Sequence, residues 1–77
     1  MINYYKFRVS IFKLDTDSKF FTQVNDAEDS SSVSLITNET AFDGLSKIIT
    51  DNTNSEWLVI SEEDFNFTKE KILNKLK

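Results

Sequence analysis

Carboxylates are the main chemical resource of this chain. It carries thirteen Asp and Glu in 77 residues, with no His and no Cys. Without those two types there is no Ser-His-Asp triad, no Cys-His dyad, no disulfide and no zinc site of the Cys/His kind. The single glycine excludes a Walker A loop and a dinucleotide-binding fingerprint. Acid–base work by paired carboxylates would have to come from Asp15 with Asp17, or from the run Glu62-Glu63-Asp64. Each grouping has a simpler use. The first sits in turn-forming sequence, and the second stands where a helix start favours acids. Asp26, Glu28 and Asp29, next to three serines, offer oxygen ligands for a divalent cation. They lack the ligand spacing and the glycine of a calcium-binding loop, and a solvated acidic loop is the simpler reading. The chain is therefore read as non-enzymatic, with no cofactor and no metal.

The carboxylates are unevenly placed. Residues 1–13 contain Lys6, Arg8 and Lys13 and no acid. Residues 14–68 hold twelve acids against Lys19 and Lys47, and residues 69–77 hold four lysines against Glu70. The formal net charge of −4 thus hides an acidic centre between two basic ends. A field of this kind governs partners and encounter rates rather than fold. The sequence points to a small acidic module that docks onto a larger basic protein. In its most specific form that partner handles nucleic acid, and the module blocks its channel by resembling a phosphate backbone, as DNA mimics and anti-CRISPR inhibitors encoded by mobile elements do. The partner-binding residues expected on this reading are Asp26, Glu28 and Asp29 in a polar loop, with Glu39, Asp43 and Glu56 beside the first helix. A solubilising acidic surface is the plainer use of the same residues.

Two alternatives come from other residues. Ten aromatics are more than one small core needs, and a strand edge or aromatic face could pair two copies into a homodimer. Tyr4, Lys6 and Arg8 alternate along the first strand and could bind nucleic acid by charge and stacking, although the acidic centre would repel phosphates. No direct nucleic-acid contact is expected on the leading reading.

The elements that must position these groups follow from periodicity. Residues 3–13 read as one strand, with Tyr5, Phe7, Val9 and Ile11 on one parity; Phe12 and Leu14 then break that parity. Asp15 to Ser18 is turn chemistry, and 19–25 is a second strand, antiparallel to the first. Residues 25–32 form a polar loop, and Val33–Thr37 a short β-branched strand. A helix is predicted over 39–51, with Ala41, Phe42, Leu45, Ile48 and Ile49 on its inner face and Asn38 or Thr40 as its cap. Gly44 lies mid-helix, where it costs about 1 kcal/mol relative to Ala, and a close approach to the sheet or to a partner would explain it. Trp57–Ile60 suits a central strand. Ser61 to Asp64 resembles a capping box before a last helix over 67–76, with Phe65, Ile72, Leu73 and Leu76 inward.

The order β-β-β-α-β-α gives an α+β expectation: one domain over 1–77, with a mostly antiparallel sheet of about four strands and both helices on one face. The other face would carry Tyr4, Lys6 and Arg8, with Phe12 and Phe21. No basic head with an apolar stretch and a cleavage site opens the chain, and no apolar run nears the ~20 residues of a membrane span. With no Cys, a cytoplasmic location is expected.

Overall fold

The computed structural model describes residues 1–27, 29–51 and 57–76. The fold is α+β, with an antiparallel five-stranded sheet and two helices. The strands are β1 (Ile2–Phe7), β2 (Ser10–Asp15), β3 (Phe20–Asn25), β4 (Ser32–Ile36) and β5 (Trp57–Val59). The helices are α1 (Glu39–Thr50) and α2 (Glu62–Lys75). The spatial order is β4-β3-β2-β1-β5, so α1 carries the chain from one edge of the sheet to the other.

The segment expected to be one strand is a hairpin. Phe7 pairs with Ser10, and Arg8 and Val9 form a two-residue turn. Arg8 has φ 55°. A two-residue loop needs a positive φ to match strand twist, which Gly or Asn usually supplies, and neither is present to mark the turn. The hairpin explains the parity break. Tyr5 pairs with Phe12, and Asn3 with Leu14, so Phe12 and Leu14 share a face with Tyr5 and Phe7. Ile11 moves to the face of Tyr4 and Lys6. The β2–β3 turn uses a second positive φ, 58° at Lys19, whose N–H donates to the Asp15 carbonyl at 2.9 Å.

The two helices lie on opposite faces of the sheet, not on one. Adjacent strand residues point to opposite sides, and both sides of β2 are buried. Phe12 and Leu14 join Phe21 and Phe42 in one cluster, beneath α1. Ile11 joins Val24, Phe65 and Ile72 in the other, beneath α2. The expected solvent face therefore does not exist as drawn. Phe12 and Phe21 are core, and Tyr4 packs half-buried on Phe65, with ring centroids 5.4 Å apart. Trp57 stacks on Phe7 at 4.7 Å and meets Phe12 at 5.4 Å, closing the α1-side cluster. A 77-residue chain has room for only a thin core, so filling both faces with aromatics is how this one gains burial.

Capping sets where the helices begin. The Asn38 side chain accepts from the Ala41 N–H at 3.1 Å. Ser61 accepts from the Asp64 N–H at 3.0 Å, so α2 starts at Glu62, five residues before the expected start, with Glu62, Glu63 and Asp64 at its positive end. On α1, Phe42 is buried and Leu45 and Ile49 are half-buried, while Ala41 and Ile48 are exposed. On α2, Phe65 and Ile72 are fully buried, and Leu76 is exposed. A Cβ on Gly44 would meet nothing within 4 Å, so no close approach to the sheet accounts for that glycine. β5 is an edge strand rather than a central one, because nothing among the described residues pairs beyond it.

Candidate protein-docking surfaces

The β2–β3 turn carries two acids of its own and a lysine that gathers two more from α1. Asp15 ends β2, and its Oδ1 accepts from the Asp17 N–H at 3.0 Å. That bond, together with Ser18 and the nearby terminal amine, holds the Asp15 carboxyl below its ordinary value despite partial desolvation. The Met1 amine meets Asp17 at 2.9 Å. The left-handed backbone at Lys19 turns its side chain toward the start of α1, where its Nζ lies 2.9 Å from Glu39 and 3.6 Å from Asp43. The hydrogen bond to Glu39 and the charge of Asp43 raise the Lys19 pKa. Glu39 and Asp43 are one helical turn apart, which places both on one side of α1. They remain open to solvent, with side chains 68% and 59% exposed. Glu39 and Asp43 thus share Lys19, and Asp15 and Asp17 share the terminal amine.

The other expected acids lie elsewhere. Asp26 follows β3 at the opposite end of the sheet, where its N–H donates to the Val9 carbonyl at 2.7 Å. Its carboxylate stands 3.8 Å from Lys71 of α2. Asp29 is exposed in the same loop, and the loop is tied to α2 by Lys75, 3.4 Å from the Ser31 hydroxyl. Six-residue strands separate this loop from the Lys19 pole, a distance of roughly 17–20 Å. Glu28 and Glu56 lie outside the described residues. The six acids therefore do not form one patch. Glu39 and Asp43 come together at Lys19, Asp26 and Asp29 stand apart from them, and Asp15 and Asp17 lie in the same turn as Lys19. The turn positions of Asp15 and Asp17 were legible in sequence, but the approach of Lys19 to α1 depends on where the β4–α1 junction falls.

Lys6 and Arg8 do not form an exposed basic strand face. Lys6 lies on the α2 side, and Arg8 in the hairpin turn sets its guanidinium 5.3 Å from the centre of the Phe7 ring. Both line an open cleft of about 270 Å³ whose wall on α2 includes Asp64, Phe67 and Thr68, and whose floor includes Ile11 and Ile60. Phe67 is 75% exposed on α2. It stands two residues beyond Phe65, off the inward stripe, which is the signal that marks it. Burial and the charge of Glu62 raise the Tyr4 pKa on this face.

Among the described residues no three carboxylates lie close enough together to hold a metal ion. Nor is any described helix long and apolar enough to cross a membrane. No protein-family model, no curated protein and no solved structure matches this chain. Its surface must therefore be read from its own geometry.

Proposed function

We propose that this chain is a small protein-docking module that engages a basic partner through the acidic pole at Asp15, Asp17, Glu39 and Asp43. In its most specific form the partner is a nucleic-acid-handling protein, and the module occupies its phosphate-binding channel as an inhibitor. The observation that carries the reading is that exposed Glu39 and Asp43 converge on Lys19, while Asp15 and Asp17 in the same β2–β3 turn gather at the Met1 amine. Fixed negative charge held on a turn and a capped helix attracts a lysine- or arginine-lined surface and speeds encounter. Asp26 and Asp29 give a weaker contribution from the far end of the sheet, and only a partner long enough to span both ends would feel both.

The test compares wild type with a D17K/E39K/D43K variant, both immobilised and exposed to the same cell lysate at low salt. All three carboxylates are exposed, and pairs of this kind add at most about 1 kcal/mol each, so the variant should keep its fold by circular dichroism. A partner held by wild type, lost by the variant and released by salt supports electrostatic docking. Its release by double-stranded DNA supports the inhibitor form. A partner held equally by both proteins would refute the acidic mechanism.

A further inference from the structure

We propose that β5 is a self-pairing edge, through which two copies of this chain join antiparallel about a two-fold axis at Leu58 to make one continuous ten-stranded sheet. This does not rest on the acidic-pole reading. Its basis is the direction of the backbone groups in β5. The Ile60 N–H donates to the Tyr4 carbonyl at 3.2 Å. In an antiparallel ladder, residues bonded to the neighbouring strand alternate with residues that are not. With Leu58 opposite Lys6, and Trp57 and Val59 opposite Phe7 and Tyr5, it is Leu58 that bonds to β1. The N–H and C=O groups of Trp57 and Val59 therefore point away from β1, toward the open edge.

Those groups complement a second copy of themselves. A two-fold axis at Leu58 sets Trp57 opposite the partner's Val59. The two exchange N–H and C=O bonds on each side of the axis, four bonds in all, with donor partial charges facing acceptors. Leu58 then faces the partner's Leu58 in the unbonded pairing, where side chains approach most closely. The side chains agree with the register. Trp57 and Val59 lie on the α1 side of the sheet, and Leu58 lies on the α2 side. Val59 is 81% exposed and Leu58 53% exposed. Pairing covers Val59 with the partner's Trp57, an aromatic already held by Phe7 and Phe12.

Among the described residues, shortness is the one usual protection of an edge strand that β5 has. It carries no charge, no proline and no bulge. The nearest cation on the α2 side, Lys6, sits one strand in from the edge. The two copies of it would stand three strand spacings apart, roughly 14 Å, beyond the ~8 Å screening length at physiological salt. The opposite edge is less suited. β4 presents Ser32 and Ser34 on its α1 side, and its Val33 is already packed in the α2-side cluster. Three residues per copy cover less than half of the ~800 Å² per partner of a standard interface, so the dimer is weak and exchanges rapidly.

Sedimentation equilibrium from about 10 μM to 1 mM reads this directly, with the average mass rising from monomer toward dimer across the range. In a mixed sample of labelled and unlabelled protein, an intermolecular Hα–Hα contact between the two Leu58 residues fixes the register. Val59→Lys should remain monomeric throughout, and Leu35→Lys at the β4 edge should associate like wild type. Both positions are exposed, so both variants should fold. A wild-type monomer at the top concentration overturns the proposal. So does a dimer that survives Val59→Lys, one that is lost in Leu35→Lys, or one that lacks the Leu58 contact.

Discussion

Replacing Gly44 by Ala should stabilise this protein. Gly44 sits in the interior of α1 and has no positive φ, so its backbone is ordinary helix that any residue can adopt. A methyl group there meets no atom within 4 Å, so the substitution brings no steric cost. What remains is the intrinsic difference between Gly and Ala in a helix interior, about 0.8–1.0 kcal/mol in favour of Ala, much of it from fewer unfolded conformations. For a domain of this size, ~1 kcal/mol moves the midpoint of thermal unfolding by roughly 4–8 °C. Calorimetry on wild type and Gly44→Ala at matched low concentration, where β5 pairing is absent, would read the shift. The neighbouring Asp43→Ala provides a control that removes a charge without changing a glycine. An unchanged or lowered midpoint for Gly44→Ala would show that α1 is not exposed along this side, and the placement of the helix on the sheet would have to be redrawn.

Four other outcomes follow from the same geometry. Phe65→Ala should cost about 3–5 kcal/mol, because the ring is fully buried under α2, whereas Phe67→Ala two residues on should change stability by no more than about 0.5 kcal/mol; urea unfolding of both separates them. Arg8→Gly relieves a left-handed backbone worth about 1–2 kcal/mol but removes a ring contact worth about 0.5–1 kcal/mol, so the first hairpin should gain no more than about 1 kcal/mol, read by the same method. The Asp15 carboxyl is held below its ordinary 3.8, so its contribution is complete above that value and fades as pH falls through the lower folded pKa; Asp15→Asn should flatten that part of the acid limb of the urea midpoint. Lys19 runs the other way, with its pKa raised above the ordinary 10.5. Its contribution is complete below that value and is lost as pH rises through the folded pKa, and a Glu39→Gln variant should show a smaller alkaline loss.

Local rules were enough for most of the elements. The caps at Asn38 and Ser61, the acids at the start of α2, the polar loop after β3 and the period-2 runs all follow from side chains acting on backbone within a few residues. The class α+β and the antiparallel sheet follow from the order of those elements. The first hairpin was hidden because Arg8 takes the left-handed conformation that Gly or Asn would have announced. Its only trace was the parity break at Phe12, which a partly covered far face or a bulge within a single strand would also produce.

What the chain order could not contain was the side of the sheet each helix would cover. β2 offers Ile11 to one side and Phe12 and Leu14 to the other, so either side could take a helix. Burial rewards closure of both faces, and that reward exists only once the sheet is assembled. The same holds for the acids. Composition determined that this protein is acidic at its centre and has no His or Cys chemistry. Only the tertiary structure decided that Glu39 and Asp43 meet Lys19 of the β2–β3 turn while Asp26 and Asp29 stand at the far end, because charge is a property of residues and a field is a property of their positions.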